Sequence, residues 1–558
     1  MKTLNKIFAV MALSATFMLT SCIEETFPEG GTATAEQVGA SSAALEGSLN
    51  GIPAQMTLGY YVYESQTHET DMAYPQFMIA MTELLGDMYP LGSNSGYDWY
   101  RNYNTFAANV GETSYFAYLP WFTLYRFVKA CNDVISVVDI ESDATSTEIK
   151  GMAGAAYAMR AFDYYMLMVL FEPAENKYTD VSAVKGLTVP IIDENTTEDM
   201  AKNNPRVSHE DMMKFILTDL EKAEELLQDH AADKAREENR LVPDLSVVYG
   251  IRAKVHLWDG DFENAAKYAD LAITTAQQIA KLHGRTAVPM TAEQMEDPSS
   301  GFTTATGGWM WYLHYSAESM GNLCNFIGWM SGEADWGYSS LTCPMIDKSL
   351  YDHMSMTDVR RHLFVDPKRG DFYDYKTSRT VDWLASKPDY LALKFRCLNG
   401  DYKTYSVGGA VDVPIMRIEE MYLILAEAKG MSEGLTAGLT ELNNFMKKYR
   451  DENYNFSTTD TREFQLEVLT QMRLEFWGEG NAFPSAKRLK PGVIQNYENT
   501  NAPADIFKIN CEGIKPIWNL VIPTTETDAN VALQGKNNPD PTQSVVGPSP
   551  VGKYADKK

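Results

Sequence analysis

Basic charge, cysteine and long apolar runs are all scarce in this chain, and each shortage closes off a class of function. Against 75 acidic residues stand only 48 Lys and Arg, a formal charge of −27. A surface of that sign repels polyanions, which excludes a general nucleic-acid binder and electrostatic adsorption to anionic lipid. The six cysteines form no C-x-x-C and no zinc-like spacing. Beyond Cys22, the thiols Cys131, Cys324, Cys343, Cys397 and Cys511 read as buried small hydrophobes. G-x-S-x-G, H-E-x-x-H and P-loop motifs are absent, and the eight histidines are scattered. A glycosidase needs only two carboxylates at a suitable separation, so missing motifs alone do not dispose of a cryptic hydrolase. Neither "DENTTED" at Asp193 to Asp199 nor "NPDPTQ" at Asn538 to Gln543 has EF-hand spacing; they read as solvated loop acids, and no metal or cofactor is expected.

What is present begins with Lys2 and Lys6 before an apolar run over residues 7–20, too short to span a bilayer at ~20 residues. It ends in Leu19-Thr20-Ser21-Cys22, which resembles a bacterial lipobox with Cys22 as the acylated residue. Residues 1–21 then form a lipoprotein signal, and their removal takes two lysines and no acid, so the charge becomes −29. Residues 22–35, with Glu24, Glu25, Gly, Pro and Thr, have the composition of a solvated tether. The folded unit is expected over 36–558, helical over about 36–285 and rich in insertions over about 286–558.

Helical periodicity is clearest in "YLPWFTLYRFVKACNDVISVVD", where Trp121, Leu124, Tyr125, Val128, Cys131, Ile135 and Val138 recur at steps of three and four. The next segment opens with Gly151, Ala153, Gly154, Ala155 and Ala156, small enough for close approach, and is expected to pair with the first as a hairpin. A second hairpin turns at Gly260-Asp261, with small residues in the following helix, the texture of a tetratricopeptide unit. "MRIEEMYLILAEAKGMSEGLTAGLTELNNFMKKYR" repeats that texture. Spacing between the units is irregular, so the expected fold is mostly α: a scaffold of irregular tetratricopeptide-like hairpins with long loop and short-strand insertions. The longest insertion covers residues 287–411.

Taken in order, the lipobox, "LTDLEKAEELL" at Leu217 to Leu227, "VDVPIMRIEEMYLILAEAKG" at Val411 to Gly430, "MRLEFWGEGNAFPSAKRL" at Met472 to Leu489 and "WNLVIPTTETDAN" at Trp518 to Asn530 resemble the SusD/RagB family. The resemblance implies a surface lipoprotein, held to the outer membrane by its lipid, that captures nutrient as a non-enzymatic lid on a SusC-like TonB-dependent transporter. Glycans are the usual cargo and peptides that of the RagB branch; charge and motifs do not separate the two here. Where many relatives have F-D-x-K-R, this chain has Phe483-Pro484-Ser485-Ala486-Lys487-Arg488, one acid fewer. Arg473, Glu475, Glu479 and Arg488 read as a structural charge network, and Arg417, Glu420 and Glu427 as charges satisfying one another.

A sugar offers flat C–H faces and rims of hydroxyls, which call for aromatic planes beside polar side chains. Two stretches supply that mixture. Trp99, Tyr100, Arg101 and Asn102 lie in a loop after the early helices, the position of a ligand-contacting loop in the family that the chain resembles. Asn325, Trp329, Asp335, Trp336 and Tyr338 lie in Gly-rich irregular sequence and form the second candidate. Trp309 and Trp311 alternate in "WMWYLHY" and read as a core strand.

Overall fold

The computed structural model describes residues 41–58, 74–90, 110–231, 238–318, 323, 325–342, 344–368 and 377–541. Cys22, Trp99, Tyr100, Arg101 and Asn102 lie outside them, as do Cys324 and Cys343. The longer helices are α1 Ser42–Met56, α2 Tyr74–Leu84, α3 Tyr115–Ser136, α4 Thr147–Phe171, α5 His209–Ala231, α6 Leu245–Asp259, α7 Phe262–Leu282, α8 Ile418–Ser432, α9 Leu435–Tyr449 and α10 Thr461–Glu475. From α3 to α9 each helix packs on the next in sequence. This neighbour-to-neighbour row is the expected scaffold of helical hairpins.

Local sequence sets the boundaries. Ser146, Asp244, Asp261 and Asp460 each cap a helix by accepting a backbone N–H with the side chain, satisfying donors the first turn leaves open. Helix α4 is buried over its whole length from Gly151 to Phe171, as expected of a helix apolar on every side. The expected pairing with α3 is present, but Gly154 serves a different neighbour. A Cβ on Gly154 would stand 3.0 Å from Leu226 Cβ and 3.1 Å from Leu227 Cγ of α5, so the close approach at this glycine is to α5, while α3 also packs on α4.

Among the described residues, the excursion between α7 and α8 contains short elements only. Strand β1, Trp309–His314, pairs antiparallel with β2, Asp412–Arg417, Trp309 standing opposite Arg417. Trp309 and Trp311 are buried, as the strand reading required. Because α7 also packs on α8, the excursion leaves the row and rejoins it at neighbouring places. Of two smaller antiparallel pairs, Met88–Tyr89 with Met345–Ile346 ties the middle of the excursion to the segment after α2, and Val493–Ile494 with Asn510–Cys511 lies beyond α10. Cys131, Cys397 and Cys511 are buried free thiols.

Beneath the excursion lies a buried charge network whose partners differ from those the sequence suggested. Arg417 bonds Glu475 and Glu479, Arg450 bonds Glu475, and Lys394 Nζ donates to Glu479 Oε1 at 2.5 Å. Arg473 instead holds Asp87, Arg488 holds Glu427, and Lys254 holds Glu420. Charges close in sequence project from a helix in different directions, so each found a partner on another element.

Candidate functional site

The second aromatic stretch folds into a tight cap. Asn325 Oδ1 accepts from Gly328 N at 2.8 Å and so starts the short helix Phe326–Met330. Gly337, at φ +70°, lies against Gly328: a Cβ there would stand 2.7 Å from Gly328 Cα. The Trp329 and Tyr338 rings meet at 4.1 Å between centroids. Gly408 covers Trp336 so closely that a Cβ would come 2.7 Å from the indole, and Gly409 sits likewise on the Asn325 amide.

As a result Trp329, Trp336 and Tyr338 are only 6, 7 and 8 % exposed, and Asn325 is fully buried. As they stand, these rings offer no stacking face to a ligand, unlike the exposed platforms expected of irregular sequence. The physical reason is the set of glycines, which lets the 405–410 backbone close over Trp336 while the Tyr338 ring covers Trp329. Of the five residues in this stretch, Asp335 alone is exposed.

Asp335 leads to a surface that sequence reasoning passed over. Its Oδ1 accepts from Arg379 Nη1 at 2.7 Å, and its backbone N–H donates to Tyr402 O at 2.9 Å. The Arg379 guanidinium carbon lies 4.0 Å from the Tyr402 ring centroid and 4.8 Å from that of Trp383. One planar cation is thus shared between two half-buried aromatic rings, an arrangement that fixes all three. The same Nη1 donates to Glu333 O at 2.7 Å.

Support for this surface comes from below. Glu333 is fully buried, accepts from Arg396 at 3.0 Å and from the Ser378 backbone N–H at 3.1 Å, and also holds the Thr377 hydroxyl. The segment leading to Arg379 is therefore tied to the cap at a buried ion pair. Thr380 then caps the short helix Val381–Ala385, accepting from Trp383 N at 3.2 Å and setting the indole at the surface. Lys387, 5.0 Å from the Trp383 ring, Lys403 beside Tyr402, and exposed Asp382 and Tyr405 surround it.

The arrangement presents aromatic faces beside a carboxylate and several cationic donors, which can stack on C–H faces and bond hydroxyls at once. Arg379, Trp383 and Tyr402 were missed: Arg379 and Trp383 are near neighbours in sequence, but Asp335 lies 44 residues before Arg379 and Tyr402 lies on a later segment, so only the fold brings the group together. The exposed Val381, unusual for its size at 82 % exposure, could not have signalled them from sequence. Among the described residues no cluster of three or more His, Cys, Asp or Glu could hold a metal ion. In "DENTTED", Asp193 closes a turn with Thr196 and Glu194 pairs with Arg160. No described helix is long and apolar enough to cross a membrane.

Comparison with known proteins places this architecture. A SusD-like family model described as "Starch-binding associating with outer membrane" matches residues 66–257, and a model of the SusD family matches residues 331–537. SusD-like protein P2 of Formosa agariphila is 22 % identical over 492 residues, covering 86 % of this chain and 89 % of that protein. A SusD-like carbohydrate-binding protein from Bacteroides vulgatus superposes with a TM-score of 0.66 at 19 % identity, over 89 % of this chain and 98 % of that one. Surface glycan-binding protein A from Bacteroides thetaiotaomicron, solved with laminarihexaose, superposes with a TM-score of 0.60 at 16 % identity, over 89 % and 99 %. With both halves matched by models of one family and the mostly helical fold shared along nearly the whole chain, the protein belongs to the SusD/RagB family.

Proposed function

We propose that this protein is a non-enzymatic glycan receptor that binds an oligosaccharide on the surface formed by Arg379, Trp383, Tyr402 and Asp335. The observation that carries the reading is the guanidinium held between two half-exposed rings and tied to Asp335. Such a group is rigid before ligand arrives, so little side-chain freedom remains to be lost on binding. Asn325, Trp329, Trp336 and Tyr338 act as the buried support beneath it. Trp99, Tyr100, Arg101 and Asn102 contribute from the earlier loop as further ligand contacts. The laminarihexaose held by a relative of this fold is in keeping with a glycan as cargo.

In the cell, the protein hangs from the outer membrane through acylated Cys22, faces outward and closes as a lid over a SusC-like TonB-dependent transporter. Moderate affinity suits that task, since a lid that grips its cargo must also release it. Glu475, Glu479 and Glu419 are buried and bound to arginines, which keeps these three carboxylates from a glycosidic bond.

Calorimetric titration of the purified chain with laminarihexaose, maltohexaose and xylohexaose tests the reading. A bound hexaose should lose affinity about ten-fold or more, ~1.4 kcal/mol, when Trp383→Ala and Tyr402→Ala are combined. Unchanged affinity in that double variant, binding of peptides in place of every hexaose, or new reducing ends after incubation would each sink it.

A further inference from the structure

We propose that a groove along α3, sharing no residue with the Arg379 surface, is a second binding site for a neutral oligosaccharide. The groove encloses about 650 Å³, within the ~300–1,000 Å³ typical of small-molecule sites. Helix α3 supplies one wall at helical spacing, Tyr118, Phe122 and Tyr125, with Trp121, 4 % exposed, as the buried backing behind them. Thr525 and Glu526, just before the chain passes Asn530, supply the other.

The aromatic wall is fixed in place. Trp121 and Tyr125 rings lie 4.7 Å apart, Trp121 meets Phe171 edge-on at 5.0 Å, and the Tyr125 hydroxyl donates to Pro190 O at 2.6 Å. With its hydroxyl engaged, Tyr125 contributes ring surface to the groove. Phe122 is 39 % exposed, a large apolar side chain left open to solvent at the mouth. The opposite wall is anchored too, since Asn530 Nδ2 donates to Asn204 O at 2.6 Å and Asn530 Oδ1 accepts from Asn204 N at 3.0 Å.

Charge selects the class of ligand. The lining holds Arg126 and Lys129 against Asp133 and Glu526, equal numbers of each sign in a chain whose net charge is −27. Lys129 and Asp133 also pair with each other at 2.8 Å. A groove balanced in this way gives no preference to a charged ligand of either sign. Burial pushes the Glu526 carboxyl upward, against a hydrogen bond from Trp121, so a half-desolvated carboxyl faces the aromatic wall. Ring faces for C–H surfaces and a carboxyl for paired hydroxyls match a neutral saccharide.

The test is calorimetry on the full chain with laminarihexaose, maltohexaose, cellohexaose and xylohexaose, using Phe122→Ala and Glu526→Gln in the groove and Trp383→Ala on the outer surface. Phe122 is half exposed and Glu526→Gln nearly isosteric, so circular dichroism should show both folded. The expected result is two sites on the wild type for at least one hexaose, with either groove variant weakening one site ten-fold or more and Trp383→Ala weakening only the other. Groove variants that bind every hexaose as the wild type does overturn the proposal, whatever Trp383→Ala does. Weakening by Phe122→Ala with a silent Trp383→Ala sustains the groove and removes the Arg379 surface instead. Binding of no hexaose overturns both. Groove variants that keep both sugar sites and lose a protein partner overturn the groove as a sugar site.

Discussion

Arg450 grips Glu475 through two hydrogen bonds, Nε to Oε2 at 2.6 Å and Nη2 to Oε1 at 2.8 Å, with both side chains fully buried. Burial alone would raise the Glu475 pKa, but Arg450, Arg417 and Arg360 hold it well below the carboxylate range. Its contribution is therefore present above the unfolded value near 4.5 and is lost only as pH falls through the much lower folded value. Glu475→Gln should cost about 3–5 kcal/mol in urea unfolding at pH 7, because it leaves buried guanidinium groups without their counter-charge. A loss under ~1 kcal/mol would show that Glu419 and Glu479 suffice for the arginines.

Lys487 points at the end of α4, donating to Val169 O at 2.8 Å and Glu172 O at 2.9 Å. Burial lowers its pKa to about 7, so between pH 7 and its unfolded value the denatured chain binds the extra proton. Stability from this group accordingly rises with pH. Compared with Lys487→Met, the wild type should gain about 1–2 kcal/mol between pH 7 and 9. Parallel pH profiles for the two proteins would contradict the assignment.

His209 acts in the opposite sense at the same end of α4. Its ring lies between Glu172 at 2.8 Å and Asp259 at 3.0 Å, and the bond to Glu172 raises its pKa to about 9. The stabilisation is complete below pH 6.5 and disappears as pH climbs through 9. In His209→Asn that loss should vanish from the difference in melting temperature measured at pH 6 and pH 9.5. A ring proton signal titrating near 6.5 in the wild type would refute the pairing.

Gly337→Ala tests the cap. A side chain at φ +70° costs about 1–2 kcal/mol, and its Cβ would meet Gly328 Cα at 2.7 Å. We expect the cap to loosen, tryptophan emission to shift red as Trp329 and Trp336 meet water, and glycan affinity to fall while the helical row keeps its circular dichroism. Unaltered emission would mean that Gly328 and Gly337 do not determine how the indoles are buried.

The helices and the Trp309–His314 strand were legible in the sequence because periodicity is local: Leu124, Val128, Cys131 and Ile135 announce a face without reference to anything distant. The hairpin at Gly260-Asp261 was legible for the same reason. Ion-pair partners were not, since Arg473 found Asp87 across 386 residues and nothing local encodes that choice. The aromatic stretch at 325–338 misled for a related reason: glycine-rich sequence suggests an open loop, yet Gly408 and Gly409 from another segment seal it. Of the candidate residues there, Asp335 pointed to the surface, and its companions Arg379, Trp383 and Tyr402 became visible only through contacts.

The pairing of β1 with β2, and of α7 with α8 beside it, makes the long excursion a closed cassette with both ends stitched to one seam. A change of length between the two strands would leave both ends in register at that seam, whereas loss of Lys394 from the middle of the cassette would strip Glu479 of a counter-charge.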